Sequence, residues 1–71
     1  MTGAELLRRL RRLARERGLR FEYESRHGKG SHGRVLLGER LATMKDPKKE
    51  IGPGLLHDML RQLGLSRDDL S

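Results

Sequence analysis

The sequence predicts an α+β domain with the element order α-β-β-β-α, in which two helices cover one face of a three-stranded antiparallel sheet. Apolar residues recur at helical spacing near both ends of the chain, and they alternate with polar residues in its middle. Glycine or proline separates these segments. A chain of 71 residues suits one small domain, so we expect a single domain over residues 1–71.

The first helix is predicted from Thr2 to Arg17. Thr2 and Glu5 have the spacing of a capping box, with Met1 placed to pack on Leu6, and Gly18 suits a left-handed stop after the last turn. The apolar stripe consists of Leu6, Leu7, Leu10, Leu13 and Ala14. Arginines at positions 8, 9, 11, 12 and 15 cover the rest of the surface, so the helix is half core and half cationic.

Three strands are predicted next. Leu19, Phe21 and Tyr23 alternate with polar residues, which indicates a strand with one solvated face. Residues 31–37 are predicted as the second strand; Val35 and Leu37 share one of its faces, and His32, Arg34 and Leu36 share the other. A tight turn at residues 38–40 leads into a third strand at 41–45.

A polar loop at residues 46–50 precedes the second helix. Pro53 suits its first position, and its apolar stripe runs from Leu55 to Leu63. Gly64 ends it, with Leu65 folding back on Leu60 in a Schellman arrangement. Residues 66–70 are predicted to add one more turn, capped by Ser66.

The charge and composition of the chain limit the functions that are possible. Lysine and arginine number 16 against 10 acidic residues, giving a net charge of +6, which favours a polyanionic partner. The absence of cysteine excludes disulfides, thiolate metal sites and cysteine nucleophiles, and it suits the reducing cytoplasm. No apolar stretch has the length of a membrane span or a signal segment, so we expect a cytoplasmic protein without a membrane partner.

The run from Gly28 to Arg34 is where we expect the functional site. Cleaving RNA without a metal needs a base for the ribose 2′-hydroxyl, positive charge for the phosphorane and a proton for the departing 5′-oxygen. His32 can be the base, because imidazole is the side chain whose ordinary pKa lies nearest neutrality. Lys29 and Arg34 can hold phosphate. Gly30 and Ser31 can shape the pocket.

The proton donor for the leaving oxygen has no clear candidate, although His27 is close in sequence. His57 is expected on the solvated side of the second helix. The three histidines lack metal-ligand spacing, so we expect no metal and no cofactor. Few aromatic residues are present to stack bases, and contacts to RNA should go mainly to phosphate and ribose.

Two other readings of the same residues stay open. The glycine-rich run can grip a phosphate backbone without chemistry, which would make the protein a non-catalytic RNA-binding module. A small basic protein associated with DNA or the ribosome is the third possibility.

The residues also resemble a known family, the HicA-type toxins (the YcfA-like bacterial mRNA interferases), over nearly the whole chain. An apolar and basic first helix is followed by a strand and by a Gly-Ser-His motif at residues 30–32. A lysine-rich turn with Glu50 then leads to a closing helix that ends in Gln62-Leu63-Gly64. The chain departs from the family pattern at Gly33, where many members carry a second histidine, and at residues 44–47, where many carry a Pro-His element.

This resemblance implies a fold like the double-stranded-RNA-binding domain. It further implies the toxin of a type II toxin-antitoxin system, a metal-independent endoribonuclease that cleaves mRNA with His32 as its catalytic residue. A cognate HicB-type antitoxin is the protein partner that the resemblance implies, covering the site and binding the basic surface.

Overall fold

A computed structural model describes residues 1–24, 33–44 and 46–70 of the chain. Helix α1 is Gly3–Arg17, strands β1, β2 and β3 are Phe21–Glu24, Gly33–Leu37 and Arg40–Met44, and helix α2 is Pro53–Gln62. A 3₁₀ helix, Arg67–Leu70, follows. The predicted α+β class and its element order are confirmed.

The three strands form one antiparallel sheet in the order β1-β2-β3. Leu37 pairs with Arg40, so strands β2 and β3 are joined by the two-residue loop Gly38-Glu39. Gly38 has a φ of 62°, and glycine at the first position is typical of a type II′ hairpin turn. The predicted hairpin is therefore present, with β3 beginning at Arg40, one residue earlier than expected.

Both helices pack on the same face of the sheet, which we call the inner face. It contributes Val35, Leu37, Ala42 and Met44 to a single core, with Phe21 and Tyr23 packed partly against it. The helices contribute the buried residues Leu6, Leu10, Leu13 and Ala14 from α1 and Leu56, Met59 and Leu60 from α2. Alternation along the strands leaves the other face, the open face, without a covering layer among the described residues.

The helix ends follow the local sequence. The Thr2 side chain accepts a hydrogen bond from the Glu5 N–H, as predicted, while the Glu5 carboxylate pairs with Arg9 instead of completing the capping box. Gly18 ends α1 with a φ of 66°. At the end of α2, the N–H groups of Leu65 and Gly64 donate to the carbonyls of Leu60 and Arg61, which is the predicted Schellman arrangement.

Two features differ from the prediction or were missing from it. Strand β1 begins at Phe21, because the Leu19 N–H closes the end of α1 on the Ala14 carbonyl, and the Leu19 side chain is 39% exposed. The segment after β3 is also tied to the start of α1. The N–H groups of Gly3 and Ala4 donate to carbonyls of Lys49 and Pro47, so this loop fills the N-terminal end of the helix.

No helix in the described part of the chain is long and apolar enough to cross a membrane.

Candidate nucleic-acid interface

Four of the five predicted site residues, Lys29, Gly30, Ser31 and His32, lie outside the described residues. His27, the nearby histidine, lies outside them as well. The fifth site residue, Arg34, is described, and it is exposed in the central strand β2. The described site is therefore the surface around Arg34.

The open face of the sheet consists of two rows of side chains that cross the three strands. The register places Glu24, Arg34 and Thr43 in one row. The second row is Glu22, Leu36 and Leu41. Neighbouring strands are about 4.8 Å apart, so each row spans only about 10 Å. Arg34 thus stands in the middle of a small, exposed surface.

The Arg34 side chain is exposed, and its guanidinium is a group that binds anions. Glu24 faces Arg34 directly in the register, yet no ion pair joins Arg34 to any residue that the structure describes. Thr43 is exposed on its other side and offers a hydroxyl group. An exposed guanidinium beside a hydroxyl can hold one phosphate through charge-assisted hydrogen bonds.

The second row of the open face is partly apolar. Leu41 is 57% exposed, and its neighbour Leu36 is partly exposed. Alternation confirms that Arg34 and Leu36 share this face while Val35 and Leu37 are buried. The same periodicity predicts that His32 shares the face of Arg34, and His32 lies outside the described residues.

A second cationic surface lies on α1. Four arginines of α1 are exposed, and each lies three or four residues from two of the others, which places them on one side of the helix: Arg8, Arg11, Arg12 and Arg15. We call these four residues the arginine stripe. Leu6, Leu10 and Leu13 are buried on the opposite side of α1, so the stripe faces away from the sheet.

The remaining arginines of α1 serve the fold, a division that the sequence analysis missed. Arg9 binds the Glu5 carboxylate at 3.1 Å and donates to the Leu70 carbonyl at 3.4 Å. Arg17 binds the Asp69 carboxylate at 2.5 Å. These bonds hold the C-terminal 3₁₀ helix against α1. Their only signal in the sequence is that acidic residues cluster in the last turn.

Asp69 is the centre of this attachment. Its carboxylate accepts hydrogen bonds from the backbone N–H and the hydroxyl of Ser66. The Ser66 N–H, followed by the Arg17 guanidinium, lowers the pKa of Asp69. The predicted final turn is thus confirmed as a 3₁₀ helix. Its cap differs from the prediction, because the Ser66 hydroxyl donates to the Asp69 carboxylate, which also accepts from the Ser66 N–H.

The arginine stripe and Arg34 point to opposite sides of the molecule. Helix α1 packs on the inner face, its stripe faces outward from that layer, and Arg34 stands on the open face. The open face of the sheet and the arginine stripe are therefore not neighbouring surfaces. The reason is that the leucines of α1 need the apolar side of the strands, which is the side without Arg34.

The described residues include no cluster of three histidine, aspartate or glutamate side chains that could hold a metal ion. His57 is exposed on α2, as predicted.

Comparison with known proteins finds no matching family model, no similar curated protein and no similar solved structure. What the chain does is therefore inferred from its own residues.

Proposed function

We propose that the protein is an endoribonuclease toxin of the HicA type, with the fold of the double-stranded-RNA-binding domain and with His32 as its catalytic base. The observation that carries the proposal is the position of Arg34, exposed and without an ion pair among the described residues, two residues after the histidine of the Gly-Ser-His motif. The net charge of +6 and the α-β-β-β-α order support it.

In the proposed reaction His32 removes the proton from a ribose 2′-hydroxyl. The 2′-oxygen then attacks the adjacent phosphorus, the bond to the 5′-oxygen breaks, and the departing 5′-oxygen takes a proton from water. The products therefore carry a 2′,3′-cyclic phosphate and a 5′-hydroxyl. Lys29 and Arg34 hold the phosphate while negative charge builds up on it, with Gly30 and Ser31 shaping the pocket. The reaction uses no metal and no cofactor.

The proposed partners are mRNA and a HicB-type antitoxin that covers the open face around Arg34. Leu36 and Leu41 suit such a protein contact, since an apolar centre with a charged rim is typical of protein interfaces. Because mRNA is the substrate, the proposed site of action is the cytoplasm.

The test compares wild type with His32→Ala, expressed at matched levels in cells. We expect growth arrest and new mRNA ends with wild type alone. In vitro, cleavage should persist in EDTA, and the fragments should accept phosphate from polynucleotide kinase without prior phosphatase treatment, because their 5′ ends are hydroxyls. Equal behaviour of the two proteins would refute the role of His32.

The alternative function is a non-catalytic RNA-binding module. The arginine stripe supports this alternative, because a cationic helix surface binds RNA without any catalytic group. Salt-dependent RNA binding by wild type, with no cleavage product under any condition, would establish the alternative.

A further inference from the structure

We propose that the arginine stripe is a second RNA-binding surface, separate from the site around Arg34, that holds the phosphate backbone of a long RNA. This inference rests on the proposed function only in taking RNA as the polyanion. It does not require cleavage.

The first argument is the excess of positive charge on the stripe. Its four arginines outnumber the two acidic residues of α1, Glu5 and Glu16. Glu5 pairs with Arg9 at 3.1 Å and with Arg8 at 3.5 Å, whereas the other three members of the stripe have no ion pair among the described residues. Members that are three or four residues apart are separated by about 5–6 Å on the helix surface.

The second argument is that the stripe opposes folding. The pairs 8 and 11, 8 and 12, 11 and 15, and 12 and 15 each place two positive charges one helical turn apart, and such pairs destabilise a helix. Acidic residues at alternate positions would have formed stabilising pairs instead. A helix needed only for packing gains nothing from this arrangement, whereas bound phosphates would remove the repulsion.

The third argument is the dimension of the stripe. At 1.5 Å per residue, Arg8 and Arg15 are about 10 Å apart along the helix axis, enough to follow several phosphates of one strand. One member of the stripe has a cation–π contact with the sheet: the Arg11 guanidinium lies 5.7 Å from the centroid of the Phe21 ring.

The fourth argument separates the stripe from the open face. Phe21 begins the edge strand β1, so the shortest way from Arg11 to Arg34 crosses this strand. Glu22 and Glu24 are exposed on the open face of β1. Glu22 pairs with the Arg20 guanidinium at 2.7 Å, and the Glu24 carboxylate repels a phosphate backbone. RNA on the stripe therefore does not continue across β1 to Arg34, and the two surfaces bind separately.

The test measures binding of a single-stranded 20-nucleotide RNA with 2′-O-methyl riboses, which cannot be cleaved because its 2′-oxygens are blocked. Arg12→Gln/Arg15→Gln is compared with Arg61→Gln/Arg67→Gln, which removes the same charge from exposed positions elsewhere. Both pairs are made in the His32→Ala protein. Fluorescence anisotropy over a series of salt concentrations gives the slope of log K against log salt.

Each phosphate contact contributes about 0.7 to this slope for a single strand, so the stripe variant should lose about 1.4. Because the counterion contribution vanishes near 1 M salt, the same change predicts about 25-fold weaker binding at 0.1 M. The control pair should change both values much less. The melting temperature of the stripe variant should stay the same or rise, since like-charge repulsion is removed.

Equal losses in the two variants would overturn the proposal, because binding would then depend on net charge alone. Tighter binding of a DNA duplex than of RNA would overturn the choice of RNA. Arg34→Gln tests the separation. Because each surface binds RNA without the other, this substitution should weaken RNA binding much less in the His32→Ala protein than in the stripe variant, where the open face is the main binding surface left. Equal fold-losses in the two backgrounds would show that one RNA contacts both surfaces, and the separation would be wrong. Failure of wild type to cleave RNA would refute the proposed function and leave this binding result unaffected.

Discussion

The ring of Tyr23 occupies the space that a side chain at Gly33 would need. A Cβ atom on Gly33 would stand 2.8 Å from both Cε1 and the hydroxyl oxygen of Tyr23, and 2.9 Å from the Glu24 carbonyl oxygen. The φ of Gly33 is outside the positive region, so this close approach, and no backbone requirement, selects glycine.

Gly33→Ala should therefore destabilise the fold by about 1–3 kcal/mol, the usual cost of overpacking. Urea unfolding of the purified proteins measures the change in free energy. The control is the double mutant with Tyr23→Leu, in which the ring is gone. We expect the alanine to cost less in that background, with a remainder from the Glu24 carbonyl; additive effects would show that the ring is not the obstacle.

Gly3→Ala tests the close contact between α1 and the following loop. Alanine in place of glycine normally stabilises a helix by about 0.5–1 kcal/mol. A Cβ on Gly3 would stand 2.8 Å from the Cα of Pro47, whose carbonyl accepts the Ala4 N–H. We therefore expect a loss of stability in thermal unfolding.

Gly54→Ala is the matched control, since Gly54 is also in the first turn of a helix and a Cβ there would meet nothing within 4 Å. This substitution should leave the melting temperature unchanged or raise it. A stabilising effect at both positions would contradict the contact with Pro47.

The helix ends were predictable because their chemistry is local. Thr2 caps α1 by accepting a hydrogen bond from the N–H of Glu5, only three residues away. Gly18 and Gly64 end the helices because they adopt positive φ angles. The ties between the loop after β3 and the start of α1 were not predictable. They are backbone hydrogen bonds between residues more than forty positions apart, as from Gly3 to Lys49, and they leave no pattern of side chains in the sequence.

The candidate site was predictable only in part. Alternation along β2 correctly assigned Arg34 to the face opposite Val35. The relation of Arg34 to the arginine-rich helix depends on which face of the sheet receives α1, and this follows from packing of both helices into one core. Which arginines of α1 form ion pairs also depends on the fold. Arg17, for example, pairs with Asp69, which lies near the other end of the chain.

The carboxylate of Asp69 should make stability depend on pH. The pKa of Asp69 is lowered in the folded protein, first by the Ser66 N–H and then by Arg17. The folded state therefore stabilises the ionised carboxylate more than the unfolded chain does. This contribution is present above the unfolded pKa of about 4 and is lost as the pH falls through the lower folded value. Unfolding of wild type and Asp69→Asn, measured between pH 7 and pH 2, should show a difference that shrinks below pH 4.

The control is Asp68→Asn, which removes the same charge from the preceding position of the 3₁₀ helix. It should leave the pH profile of wild type largely unchanged. A profile altered equally by both substitutions would assign the effect to net charge instead of the bonds to Ser66 and Arg17.

Arg34→Gln tests the site on the open face. A charge-assisted hydrogen bond contributes about 1.5–3 kcal/mol, so losing the guanidinium should lower kcat/KM for the proposed RNA cleavage about 10- to 160-fold. Because Arg34 is exposed and makes no ion pair with the residues that the structure describes, the melting temperature should change little. Arg61→Gln, which removes an exposed cation from α2, is the control and should cleave at nearly the wild-type rate. If both variants cleave like wild type, the phosphate is held elsewhere; if both lose activity equally, cleavage follows net charge, and in either case the assignment of Arg34 is wrong.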